Sequence, residues 1–217
     1  LSTPASTTAG TGAIVLAAGS SSRFGGVNKL LLPFGTLTVV ERVIRTVHEA
    51  HIERVVVVTG HQREAVEAAL AQERCEFVHN PRYIEGEMIS SIQVGLRHLL
   101  PAAVGVALIV LGDQPLLPAA IVRRLVEAYT FGCGSILAPR FDAQRGHPVL
   151  IARQFWDEAL KLPDGAPMRT LLARHPADVA HLLVNTDTVL RDVDTPALYA
   201  EAIRAEAIRA AARSAEA

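Results

Sequence analysis

The chain has 217 residues, half of them hydrophobic and a fifth charged, and a formal net charge of -1. That is enough for one domain with a full core, too apolar for disorder and too near neutrality for nonspecific nucleic-acid binding. Its two cysteines, Cys75 and Cys133, stand in no zinc-ligand spacing, and the longest apolar run, residues 102–111, is far short of a membrane span, so composition points to a cytoplasmic protein without a membrane partner.

Residues 1–11, LSTPASTTAGT, are small and polar, lack the basic and apolar segments of a signal peptide, and read as a disordered leader. From residue 12 onward, apolar runs of strand length alternate with helical patterns. Strands are expected at 13–17, 54–59, 76–79, 106–111, 135–138, 148–151, 181–184 and 189–193. Helices are expected near 38–50, 63–73, 89–99, 118–129, 153–160 and 168–174. Runs such as VVVV at 55–58 and ALIVL at 107–111 suit strands covered on both faces. The alternation predicts one α/β domain over residues 12–200, a three-layer sandwich with a mostly parallel central sheet. The Ala/Glu/Arg-rich tail from Pro196 reads as a helix, with residues 201–217 extending beyond the domain.

The most informative stretch follows the first strand. The apolar run Leu16, Ala17, Ala18 breaks at Gly19 into GSSSRFGGVNK, which holds three Gly, three Ser, one Arg and one Lys. Glycines let the backbone bend tightly and approach a ligand, so its N–H groups can converge on an anion. Arg23 and Lys29 add fixed positive charge suited to phosphate oxygens. The bland alternative is a strand-to-helix turn with basic surface residues. The spacing is neither that of a P-loop nor that of a dinucleotide fingerprint.

A carboxylate, Asp113, sits directly after the buried strand ALIVL and Gly112. Mg²⁺ prefers one or two carboxylates together with water and substrate phosphates, so an Asp facing a phosphate loop suits that ion. The plain alternative is an Asx-turn or a helix cap. Asp192 and Asp194 flank Val193 and, in an extended chain, both project to one face. Alternatively, Asp194 caps the helix that Pro196 opens. Arg145 and His147 flank Gly146 in a pattern able to engage a phosphate-bearing substrate, or His147 is a structural residue on a strand edge. His61 ends the second strand, as a site residue or a cap. The remaining histidines, among them His181, show no ligand spacing and read as structural or surface residues.

Taken together, these residues resemble the MobA-like nucleotidyltransferases related to molybdenum cofactor cytidylyltransferase. The first loop matches that family's LAAG-x-S-x-R-[MF]-G-x-x-K signature through Leu16-Ala17-Ala18-Gly19, Arg23, Phe24, Gly25 and Lys29. Gly112-Asp113-Gln114-Pro115, Arg145-Gly146-His147-Pro148 and Asp192-Val193-Asp194-Thr195-Pro196 match its later motifs in order, over about residues 12–200. Asn80-Pro81, Gly86 and Ser90-Ser91 resemble its base- and ribose-pocket segment, with one departure: Glu87 stands between Gly86 and Met88.

The resemblance implies the Rossmann-like fold of nucleotide-diphospho-sugar transferases. It implies nucleotide binding by residues 16–23 (Ser20, Ser21 and Ser22 included), Gly25, Lys29, Asn80, Ser90, Ser91 and Gly112. By the same likeness Arg23, Lys29 and Asp113 are catalytic, Asp113, Asp192 and Asp194 meet Mg²⁺, and Arg145 and His147 meet the acceptor. LAAG and DQP, in place of LAGG and DMP, favour CTP over GTP. The implied reaction moves CMP from CTP to the phosphate of molybdopterin and releases pyrophosphate, with a molybdoenzyme of the xanthine dehydrogenase type as partner. Three alternatives stay open: a guanylyltransferase, a sugar- or polyol-phosphate nucleotidyltransferase, or a non-catalytic protein that delivers the molybdenum cofactor.

Overall fold

The most apolar runs of the chain form the middle of one large sheet. The computed structural model describes residues 10–85 and 87–215. In chain order the elements are β1 (Gly10–Ala17), β2 (Pro33–Phe34), β3 (Leu37–Thr38), α1 (Val39–Glu49), β4 (Arg54–Thr59), α2 (Arg63–Ala69), β5 (Glu76–His79), α3 (Glu87–Leu99) and β6 (Val104–Leu111). They continue as α4 (Ala119–Thr130), β7 (Ile136–Phe141), β8 (Gln144–Arg145), β9 (Val149–Ala152), α5 (Trp156–Leu160), α6 (Arg169–Arg174), β10 (Val179–Leu183) and α7 (Pro196–Ala215).

The main sheet has the order β10-β7-β9-β6-β1-β4-β5, and β8 pairs with β7 beside this path. β1 is parallel to both neighbours, with Ile14 in register with Val56 of β4 and Ile109 of β6. Ile14, Val15, Val56, Val57, Leu108 and Val110 are fully buried, as expected of strands with helices on both faces. From β1 the chain winds outward through β4 to β5, then returns to lay β6 on the other side of β1. The winding direction therefore reverses between β1 and β6, and the carboxyl ends of those two strands leave a crevice there.

Helices cover the sheet in two layers. One core packs α1 and α4 on the first face; the other packs α3, α5 and α6 on the second. A capping box starts α1: Thr38 Oγ1 accepts from the Glu41 amide at 3.3 Å, and Glu41 Oε2 accepts from the Thr38 amide at 2.6 Å. Val39, Val40, Val43, Ile44 and Val47 then fall at helical spacing on the buried stripe. On the opposite face, Gly95 lets α3 lie close on β1, since a Cβ there would overlap Ile14 Cγ2. Helix α7 packs back on the domain: Tyr199 Oη donates to the Pro33 carbonyl at 2.5 Å and Arg209 to the Leu116 carbonyl at 3.0 Å. Among the described residues no helix is long and apolar enough to cross a membrane.

Two features differ from the sequence reading, and the course of β9 refines it. β1 begins at Gly10, so Gly10 and Thr11 belong to the sheet rather than to a leader; residues 1–9 lie outside the described residues. β9 runs antiparallel to β6 and β7, making a mostly parallel sheet mixed. Residues 189–193 are not a strand. A 3₁₀ turn spans Asp187–Val189, and the Val193 amide donates to the Asp113 carbonyl at 2.9 Å instead of joining a ladder.

Candidate active site

The crevice between β1 and β6 is a cavity of about 360 Å³, within the range of small-molecule sites. The end of β1 and its loop contribute Leu16, Ala18, Gly19, Ser20, Lys29 and Leu30. Leu111 and Asp113 come from β6, and Asp192 and Asp194 from the segment before α7. Tyr83, Glu87, Met88 and Ser91 close the remaining side.

Glycine is what lets the two strand ends meet. The Gly112 amide donates to the Leu16 carbonyl at 3.0 Å, and a Cβ on Gly112 would stand 2.7 Å from that oxygen. The loop after β1 then braces itself. Ser21, with φ 53°, accepts from the Lys29 amide at 3.1 Å through its Oγ, and Asn28 Oδ1 accepts from the Leu30 amide at 3.1 Å. Ser21 thus sets the position of Lys29. Ser22 opens a single 3₁₀ turn that ends at Gly25, where φ is 61°. Gly19 faces open space.

Charge concentrates where loop, β6 and the α7 approach converge. Lys29 Nζ pairs with Asp113 and, at 2.5 Å, with Asp194 Oδ1; Arg23 Nη1 pairs with Asp194 Oδ2 at 3.0 Å. Burial opposes the Lys29 charge, but Asp113 and Asp194 outweigh it and hold the ammonium pKa above its ordinary value. Burial likewise opposes the Asp194 charge, and Lys29 and Arg23 hold its carboxyl below the usual range. Burial, then Asp194 and Asp113, push the Asp192 carboxyl up. Val193 between them is buried, so extended-chain alternation turns both aspartates to the cavity without a strand. The cap of α7 falls to Thr195, whose Oγ1 accepts from the Leu198 amide at 3.2 Å.

Among the described residues, no three His, Cys, Asp or Glu side chains stand close enough to hold an ion on their own. Asp113, Asp192 and Asp194 nevertheless turn hard oxygens to one cavity. This donor set fits a hard divalent cation whose coordination is completed by phosphate oxygens and water.

Other residues singled out in the sequence lie elsewhere. Asn80 is buried under the cavity, its Nδ2 donating to Ser90 Oγ at 2.8 Å and Ser91 Oγ at 2.9 Å. Of these three only Ser91 reaches the lining. Gly86 lies outside the described residues. The His61 amide donates to the Ala18 carbonyl at 3.3 Å, which makes His61 a brace for the loop. Arg145 is exposed on β8 and opens onto a different groove. The His147 amide donates to the Val189 carbonyl at 3.0 Å; its buried Nδ1 has no partner among the described residues, and burial pushes the imidazole pKa down. Tyr83 and Glu87 also line the cavity: Tyr83 belongs to the segment that Asn80-Pro81 opens but has no role of its own in that motif, and Glu87 figures there only as its departure. Glu87 adopts φ 51° at the start of α3, a rare conformation for a side-chain-bearing residue, and the unusual Gly86-Glu87-Met88 order was its one trace in the sequence.

An open Gly/Ser loop, a lysine and three aspartates thus meet at the switch point of this sheet, and the family match makes the chain a nucleotidyltransferase. The chain belongs to the family of the MobA-like NTP transferase domain, whose profile matches residues 13–181. It is 27% identical over 184 residues to the molybdenum cofactor cytidylyltransferase of Escherichia coli K12, covering 84% of this chain and 90% of that protein. It is 28% identical over 169 residues to the bifunctional protein GlmU of Burkholderia ambifaria, spanning 74% of this chain and about a third, 35%, of that longer protein. Among solved structures, the Rv0371c protein of Mycobacterium tuberculosis superposes with a TM-score of 0.79 at 28% identity, covering 91% of this chain and all of that one. The same protein has been solved in complex with manganese, at a TM-score of 0.75, 27% identity and coverage of 90% and 98%. A CMP-2-keto-3-deoxy-manno-octonic acid synthetase complexed with CTP shares the fold, with a TM-score of 0.74, 14% identity and coverage of 92% and 99%.

Proposed function

We propose that the protein transfers CMP from CTP to the phosphate of molybdopterin, or of its molybdenum-bearing form, in a Mg²⁺-dependent reaction that releases pyrophosphate. The observation that carries the reading is the meeting of Lys29, Asp113 and Asp194 beside the Ala18–Ser20 backbone at the switch point. The choice of CTP and acceptor is supported by the E. coli relative, aligned over nine-tenths of its length, and by the LAAG and DQP motifs. In this reading the reaction is cytoplasmic and a molybdoenzyme of the xanthine dehydrogenase type receives the product.

In this mechanism an acceptor phosphate oxygen attacks the α-phosphorus of CTP, forming the new P–O bond while the bond to the β-phosphate oxygen breaks. The acceptor phosphate is already ionised at neutral pH, so it needs positioning rather than a general base. The open backbone at Gly19 and Ser20, with Arg23, holds the triphosphate. Lys29, kept charged by its aspartates, would neutralise the negative charge that develops on the leaving pyrophosphate. Asp113, Asp192 and Asp194 would hold Mg²⁺, which when bound supplies charge neutralisation at the α-phosphate. Asn80, by tethering Ser91, keeps the nucleoside side of the cavity in shape.

The test is pyrophosphate release with Mg²⁺ and molybdenum cofactor, comparing CTP, GTP, ATP and UTP. Release with CTP alone is expected. Release with GTP instead keeps the mechanism and overturns the base; release only with sugar or polyol phosphates overturns the acceptor. Cofactor binding with no release from any triphosphate favours the delivery reading.

A further inference from the structure

A second part of the same sheet rim gathers positive charge that the proposed chemistry leaves unused. Arg140 on β7 stands directly across from Arg145 on β8. Like charges facing each other across an antiparallel pair destabilise it, yet neither guanidinium pairs with a carboxylate among the described residues. Arg140 Nε donates instead to the Asp142 carbonyl at 3.1 Å. His181 on β10 is in register with Ala138, two residues before Arg140. Alternation therefore puts Arg140, Arg145 and His181 on one face of the sheet.

That face looks toward α6. Arg145, Arg169, Thr170 and His181 line an open groove of about 730 Å³ between α6 and the sheet edge. Arg169 also lacks a carboxylate partner among the described residues. Glu158, on neighbouring α5, is already engaged by Arg174 at 3.0 Å and by His175 at 2.5 Å. Arginine does not give up its proton in a protein, so the charge persists at any working pH. Burial, then Arg145 and Arg140, push the His181 pKa down, in keeping with a groove that is already positive.

The groove shares its rim with the cavity. β9 is antiparallel to both β6 and β7, so β6 and β7 point the same way and end on the same side. Two to three strand spacings separate the groove from β6, roughly 10–15 Å.

We propose that this groove is a second anion site, which holds an oxoanion of the acceptor at a point remote from the phosphate that reacts. The proposal rests on the acceptor reading above and assigns Arg169 and His181 to acceptor selection. Its ligand class is an elongated small molecule with two anionic ends.

Two measurements test it. In the first, nitrogen-15 spectra of the arginine side chains of the full chain are followed during titration with inorganic phosphate. Saturable shifts of Arg145 and Arg169 are expected, with the Arg145 shift lost in Arg169→Ala; shifts confined to Arg23 overturn the site. In the second, Arg169→Ala is expected to raise the acceptor KM about tenfold, the loss of one charge-assisted hydrogen bond, while the KM for CTP stays put, and Arg169→Lys recovers part of the loss. An unchanged acceptor KM alongside phosphate binding overturns the assignment to the acceptor. If no triphosphate and acceptor turn over, the proposed function fails, and the phosphate titration decides the groove by itself.

Discussion

The amide of Val193 donates to the carbonyl of Asp113 at 2.9 Å, joining the end of β6 to the segment that leads into α7. Through this one bond Asp192 and Asp194 stand beside Asp113, and Lys29 Nζ lies between Asp113 and Asp194. The site is therefore built from residues more than eighty positions apart in the chain.

Removing the centre of this cluster should stop the reaction before it unfolds the protein. Lys29→Ala and Asp113→Asn are expected to lower the rate of pyrophosphate release by about 10²–10³, the scale of losing one preorganised transition-state contact. Circular dichroism should show an unchanged helix content in both. Wild-type turnover in either variant would sink the mechanism.

Binding of metal and nucleotide should be coupled. CTP with Mg²⁺ is expected to raise Tm by more than the two added separately, because each supplies ligands or charge that the other lacks. At a hundredfold excess over Kd the stabilisation is about 2.7 kcal/mol. Asp192→Asn should reduce the Mg²⁺-dependent part, read by thermal denaturation, and chelation should remove it. Equal shifts with and without Mg²⁺ would argue against the aspartates as its ligands.

Gly95→Ala tests the packing of α3 on β1. The added Cβ would overlap Ile14 Cγ2, which is fully buried and has nowhere to move. A loss of about 1–3 kcal/mol is expected from overpacking, visible as a lower urea midpoint. Alanine's better helix propensity, about 1 kcal/mol, works in the opposite direction, so a net gain would mean that α3 lies farther from the sheet.

Glu76 should give the protein an acid-sensitive contact distant from the site. Its carboxylate accepts from His98 Nε2 at 2.7 Å and pairs with Arg54 at 3.0 Å. His98, and then Arg54, hold its pKa below the ordinary 4.5. A depressed carboxyl stabilises the fold above its unfolded pKa, and that contribution fades as pH falls through the lower folded value. Glu76→Gln should therefore cost stability at neutral pH, by about 0–1 kcal/mol for so exposed a pair. The gap from wild type should close as pH drops below about 4.5. A gap that widens in acid would reverse the assignment.

How much of this was legible in the sequence depended on whether the signal was local. β4 has the bounds its apolar run predicts, because a strand buried on both faces records its burial in every residue; β5, a half-buried edge strand, also has its predicted bounds. The direction of β9 is set by pairing with β6 and β7, which no local pattern encodes. Residues 189–193 carry apolar residues at both ends, but the Val193 amide serves Asp113 across the sheet end, so the pattern recorded burial and not pairing. In the site, Asp113 stood out because a carboxylate directly after a buried strand is unusual, Lys29 through its Gly/Ser loop, and Asp192 and Asp194 through their spacing. Asn80 and Ser90 were readable as a motif but not as a layer beneath the cavity, since their mutual hydrogen bonds arise only once α3 is docked. His181, one histidine among eight in the sequence, acquires its arginine neighbours only when β10, β8 and α6 are brought together.

The antiparallel course of β9 divides the rim of the sheet into two kinds of position. Strands β1 and β6 deliver residues to the rim as they end, and whatever follows them must cross to the next helix, so their loops are bound to the winding of the fold. β9 instead sets out from the rim, and the residues ahead of it, Arg145 to His147, arrive through the short β7–β8 turn. Changes in length or charge there leave the crossovers on either side of β1 untouched. On the function proposed above, the acceptor's half of the rim is therefore free to change without disturbing the triphosphate's half, an arrangement by which one scaffold can keep its chemistry and exchange its acceptor.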